Sequence, residues 1–192
     1  MRKTKLFFLL SLLSQIINAQ DVKVTSGKVI RFSNFKSQFI DARNIDIWLP
    51  DNYSNNEKYA VLYMHDGNML YDAESTWNKQ AWEVDEVAGK LISEGKTQKF
   101  IVIGIWNNGA KRHPEYVPQK PYESLSQIQK DTVTARLKKS GKNTEIFKPY
   151  SDLYLKFLVT ELKPFIDKTF NTKRDKKHTF IAGSSMGGLI SM

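Results

Sequence analysis

One stretch near the C-terminal end leaves the backbone few choices: Thr179-Phe-Ile-Ala-Gly183-Ser184-Ser185-Met186-Gly187-Gly188-Leu189. Thr179–Ala182 reads as a short apolar strand, and the residues from Met186 onward can open a helix. Between them, Gly-x-Ser-x-Gly must reverse the chain within a few residues. So sharp a turn packs the backbone around Ser185 against both neighbours. Side chains at the flanking positions would collide there, so Gly183 and Gly187 fit on steric grounds. The turn lifts the Ser185 hydroxyl above the sheet edge. It also aims the Met186 N–H, at a helix start, to where a negative oxygen could form. The competing reading is a glycine-rich turn without chemistry; the apolar entry and the Gly187-Gly188 pair favour the first.

The rest of the chain supplies a sheet for that turn to sit on. Val22–Phe35 and Ala42–Pro50 contain alternating apolar positions and read as an initial antiparallel pair. Asp51–Lys58 is a turn cluster, and Tyr59–Met64, apolar on both faces, reads as an inner parallel strand. Trp82–Glu94 carries Val84, Val87, Ala88, Leu91 and Ile92 at helical spacing and stops at Gly95. Phe100–Trp106 is a second buried strand. Ser151–Thr169 is an amphipathic helix that Pro164 should break or kink. The alternation predicts an α/β fold with a mostly parallel sheet and flanking helices. Residues 107–150 look irregular, with Pro114, Pro118 and Pro121 ahead of a basic polar run. They leave the C-terminal end of a strand, where open α/β sheets bind ligands, and are read as a lid-like insert or a plain loop.

This strand–turn–helix pattern resembles the nucleophile elbow of α/β-hydrolases, whose second oxyanion donor comes from the loop after the third strand. Here that strand ends in His65-Asp66-Gly67-Asn68, and the Asn68 N–H is the candidate donor, beside that of Met186. His65 is either a site residue or a structural histidine bonded to loop backbone. Asp66-Gly67 is either part of the site or an ordinary turn.

Composition bounds the setting. Residues 1–19 read as a secretory signal: Arg2, Lys3 and Lys5, then Leu6–Leu13, then a cleavage region ending at Ala19. The apolar core is shorter than the roughly 20 residues a membrane span needs, so no stable membrane anchor is expected. The chain has no cysteine, which rules out disulfides, thiol catalysis and thiolate metal sites. The formal charge is +9, and loss of the signal's three cations leaves +6. The surplus sits in Lys138-Lys139-x-x-Lys142 and Lys173-Arg174-x-Lys176-Lys177, in polar segments without interleaved aromatics, so solvated surface is favoured over nucleic acid binding.

Beyond the elbow, the chain resembles the putative-esterase branch of the α/β-hydrolase superfamily. That branch includes esterase D-like enzymes, enterochelin esterases, feruloyl and acetyl-xylan esterases, and mycolyltransferases. The resemblance rests on Leu62–Asn68, on Thr76–Trp82 with Asp85, on Val102–Asn108, on Arg112-His-Pro-Glu-Tyr-Val-Pro118, on Leu162–Asp167 and on Gly183–Gly188. It implies Ser185 as nucleophile, backbone N–H groups of Met186 and Asn68 as oxyanion donors, and no cofactor or metal. Arg112, Glu115 and Tyr116 match a segment near the substrate side, as does His65; a structural Arg–Glu pair explains the first two equally well. The implied substrate is a small-molecule, carbohydrate or siderophore-type carboxylic ester. An acyltransferase on the same scaffold and a non-catalytic binding protein are the alternatives.

The family's acid and histidine are expected after the elbow, so residues 20–192 read as the N-terminal part of one hydrolase domain, inactive by itself. Local histidines are poor substitutes. His178 lies seven residues before Ser185 on one strand, roughly 23 Å away at about 3.3 Å per residue. His113 would need an unusual loop closure, and His65 faces the wrong side of the serine.

Overall fold

The computed structural model describes residues 22–141 and 147–192; the proposed signal at 1–19 lies outside the described residues, as does Lys142. Five strands form a single sheet: β1 (Lys28–Phe35), β2 (Arg43–Leu49), β3 (Ala60–His65), β4 (Phe100–Ile105) and β5 (Thr179–Ala182), in spatial order β1-β2-β4-β3-β5. β2 runs antiparallel to β1 and β4, whereas β3 is parallel to both β4 and β5, so four of the five strands point the same way. The expected antiparallel start and the parallel centre are both present.

Alternation along the strands builds two cores, one on each face of the sheet. Ile45 and Ile47 of β2, Val61 and Tyr63 of β3, and Ile101, Ile103 and Ile105 of β4 face one side. They meet Tyr154, Phe157, Leu158, Leu162 and Ile166 from the long helix at residues 151–169. Trp48, Val102, Leu62 and Met64 face the other side, against Leu70, Tyr71 and helix α1 (Val84–Ser93). Burying one such aliphatic side chain contributes about 1.5–3 kcal/mol, so each face holds its helix firmly. α1 begins at Val84, two residues after the expected start at Trp82, because Glu83 is left-handed (φ 53°).

Two expectations need correction. The segment from Asn107 is not irregular: it forms α2 (Arg112–Tyr116), α3 (Gln119–Glu123) and α4 (Gln127–Lys139). α4 buries no residue and its few apolar side chains mark no face, so hydrophobic periodicity could not announce it. A capping box holds its start instead: Ser126 Oγ accepts from Gln129 N–H at 3.4 Å and Gln129 Oε1 accepts from Ser126 N–H at 2.9 Å. Pro164 likewise leaves the 151–169 helix unbroken. α5 (Ser151–Phe157) passes through a π turn at Leu158–Leu162 into α6 (Lys163–Thr169). Widening the helix ahead of the ring accommodates a residue that has no N–H to give the turn before it.

Candidate active site

β3 and β5 pair in parallel with Met64 opposite Ala182, so both strands release their chains at the same sheet edge. After Ala182 the chain turns at Ser185 and enters α7 (Met186–Ser191). Ser185 stands at the junction with φ 55° and ψ −114°, a conformation that costs a non-glycine residue about 1–3 kcal/mol. Its side is open to solvent. The glycines explain how the turn closes. A Cβ on Gly183 would lie 2.6 Å from the Gly187 carbonyl carbon, and one on Gly188 would lie 3.1 Å from the Gly183 oxygen. Both obstacles are backbone, which cannot swing aside.

The turn rests on the β3 loop. A Cβ on Gly187 would sit 3.2 Å from His65 Cβ and 3.4 Å from Asp66 Oδ2. Asp66 is left-handed (φ 58°, ψ 45°), and Gly67–Met69, with Asn68 at its centre, make one 3-10 turn. A Cβ on Gly67 would lie 2.4 Å from the Gly104 carbonyl carbon, so this loop is pressed onto β4. Asp66 is 3% exposed and takes a bidentate ion pair from Arg112, with Nε and Nη2 each 2.7 Å from a carboxylate oxygen. Asn107 Nδ2 donates to Asp66 Oδ1 at 2.8 Å and to Asn68 Oδ1 at 3.1 Å.

His65 and Tyr116 lie beneath this surface, fully buried, so neither is an open wall of the site. His65 Nδ1 is 2.7 Å from the Tyr154 hydroxyl, and the Tyr116 hydroxyl accepts the Asp66 N–H at 3.4 Å. Glu115 faces inward too and binds Arg43, with Nη1–Oε2 at 2.8 Å and Nη2–Oε1 at 2.7 Å. The two residues expected to pair with each other thus take other partners: Glu115 binds Arg43 of β2, and Arg112 binds Asp66. His113 is half-buried on α2. His178 ends a turn before β5 and is held by Asp175 at 2.8 Å, at the far end of the strand from Ser185. Sequence reasoning named Ser185, Met186, Asn68, His65, Arg112, Glu115 and Tyr116. It held Asn107 only within the Val102–Asn108 stretch that carries the family resemblance, it left Asp66 between site and turn, and it did not name Tyr154 or Arg43.

Burial, reinforced by the Arg112 charge and opposed by Asp66, pushes the His65 pKa down to about 4. Arg112 is raised, chiefly by its hydrogen bonds to Asp66. The depressed histidine has a consequence for stability. The unfolded chain protonates His65 near pH 6.5, whereas the folded chain resists until about pH 4. Its contribution is thus complete above pH 6.5 and is lost as pH falls through that window, about 3 kcal/mol in all. Urea unfolding between pH 7 and 4 should show this decline, and His65→Gln should flatten it. Equal pH slopes for the two proteins would contradict the assignment.

Among the described residues no three His, Cys, Asp or Glu side chains converge as metal ligands would. The family model described as Putative esterase matches residues 37–192. The endo-1,4-beta-xylanase/feruloyl esterase of Xylanibacter ruminicola is 29% identical over 155 residues, covering 75% of this chain and 16% of that protein. The IroE-like serine hydrolase of Shewanella oneidensis superposes with a TM-score of 0.56 at 22% identity, covering 85% of this chain and 44% of that one. A CE1 ferulic acid esterase from Anaeromyces mucronatus, solved with ferulic acid, gives 0.52 at 16% identity, covering 89% and 53%. The chain thus spans about half the length of these solved structures and a much smaller part of the curated relative, and it shares their α/β-hydrolase fold. With a family match running from Ser37 through the Ser185 turn to Met192, the chain belongs to the Putative esterase family.

Proposed function

We propose that the protein containing this chain is an exported serine hydrolase of carboxylic esters, with Ser185 as its nucleophile. The observation that carries this reading is the exposed, strained Ser185 at a strand-to-helix turn closed by backbone contact between Gly183 and Gly187. Strain of this kind persists only where surrounding structure enforces it, and it clusters at reactive residues.

In the proposed reaction the Ser185 oxygen attacks the ester carbonyl and gives its proton to a histidine. The carbonyl oxygen becomes an oxyanion held by the N–H groups of Met186 and Asn68. The carbon–oxygen bond to the alcohol breaks, and the alcohol leaves with the proton from that histidine. Water then attacks the acyl-enzyme by the reverse route, releasing the acid and restoring the hydroxyl. We assign the histidine, and the acid that orients it, to residues outside 1–192. In support, His65 is engaged by Tyr154 and buried, and His178 belongs to the opposite end of β5. The proposed substrates are esters of small carboxylic acids, aromatic ones included, with carbohydrate or polyol alcohols, following the feruloyl esterase named among the relatives. Export follows from the charged and apolar pattern of residues 1–19.

A fluorophosphonate probe on the whole protein tests the reading. The expected result is one adduct, mapped by mass spectrometry to the peptide carrying Ser185 and absent from Ser185→Ala. A folded protein that hydrolyses methyl ferulate or acetylated xylose without any adduct at Ser185 would end it.

A further inference from the structure

We propose that Arg112 and Asn107 are positioning residues for the oxyanion loop, acting through the Asp66 carboxylate. The inference rests on the reading of Asn68 as an oxyanion donor and extends it to what holds that donor in place. Three observations converge on one side chain. Asp66 occupies a left-handed conformation that an L-residue adopts reluctantly, immediately before the turn that carries Asn68. Its carboxylate is buried and saturated by the Arg112 fork and the Asn107 amide. The same carboxylate lies against the elbow, since Oδ2 is 3.4 Å from where a Gly187 Cβ would be. Asp66 therefore immediately precedes the turn that carries Asn68 and lies beside Gly187, which follows Met186, and Arg112 and Asn107 fix where its carboxylate sits.

Asn107 adds a second restraint, because one amide group bonds Asp66 and the Asn68 side chain together. Both positioning residues also belong to the start of the 107–150 insert. The ring of Tyr116 lies 5.1 Å from the Arg112 guanidinium, and its hydroxyl takes the Asp66 N–H, so α2 braces this loop from below. The geometry makes the insert's root a support for the oxyanion loop, whatever its outer helices do.

A buried ion pair could equally serve stability alone, so the test needs a readout that stability would not move. Arg112→Lys keeps the charge and loses the planar fork. In the whole protein it is expected to lower kcat about 10- to 100-fold with KM within about twofold, because a donor misplaced by a fraction of an ångström loses transition-state contacts while ground-state binding stays. Fluorophosphonate labelling should slow in parallel. Lys111→Ala, which removes only an exposed ion pair to Asp41, is the neighbouring control and should keep wild-type kcat. Should Arg112→Lys fail to fold, Asn107→Ala decides by the same split. Either folded variant retaining kcat within twofold, with Ser185 labelled at the wild-type rate, overturns the proposal. A wild-type protein that turns over esters without labelling at Ser185 removes the underlying serine reading instead, and that outcome is separately visible.

Discussion

Replacing Ser185 with alanine in the whole protein is expected to lower kcat/KM by at least about 10,000-fold on any ester it hydrolyses, while leaving the folded state intact. The reason is the division of labour at the turn. Its shape depends on Gly183 and Gly187 and on the packing of Gly187 over His65, none of which involves the Ser185 hydroxyl. Alanine inherits the same φ of 55° and the same strain, so the unfolding free energy should hardly move. Glycine at this position separates function from stability more sharply. It tolerates positive φ, so Ser185→Gly should be as inactive as alanine yet more stable by about 1 kcal/mol, after the entropic cost of glycine in the unfolded chain. Urea unfolding and ester turnover on the three proteins make the check. A serine variant that stabilises the fold and keeps its activity would mean that the turn is merely a turn.

How much of this was legible beforehand depended on whether the determining contacts were local. β3 and β4 could be read because a strand buried on both faces must be apolar at nearly every position. The tight turn at Ser185 could be read because the collision that forces Gly183 involves Gly187, only four residues away. α4 could not be read, since its stabilising features are a cap at Ser126 and exposed polar pairs, while its apolar residues mark no face. The segment Arg112-His-Pro-Glu-Tyr116 shows the limit most clearly. Its residue types announce charge pairing, but Arg112 reaches Asp66 and Glu115 reaches Arg43, at sequence separations of 46 and 72. Such partners are chosen by tertiary packing, and a sequence taken alone offers several equally good candidates. His65 belongs with them: its burial and its bond to Tyr154 arise only when the 151–169 helix packs on the sheet.

The largest expected effect on stability lies in that second pair. Arg43 and Glu115 have side-chain exposures of 2% and 0%, and the fork is bidentate. Burial works against the arginine's charge, yet Glu115 more than compensates, and the Arg43 pKa is raised. The guanidinium is also enclosed by rings, 5.5 Å from Tyr154 and 5.7 Å from Phe157. Removing the carboxylate alone strands a cation where water cannot reach it. Glu115→Ala is therefore expected to cost about 3–5 kcal/mol, measured from the urea midpoint and slope, with Arg43→Ala similar. The double replacement Arg43→Met with Glu115→Leu should restore most of the loss, because neutral side chains of comparable volume need no partner. Activity adds a second axis. Glu115 ties α2 to β2, and α2 carries Arg112 to Asp66, so the rescued double variant should be stable yet slower wherever α2 has shifted. If Glu115→Ala loses under 1 kcal/mol, the pair is not shielded from solvent. The bracing of the β3 loop by α2 would then need a different anchor.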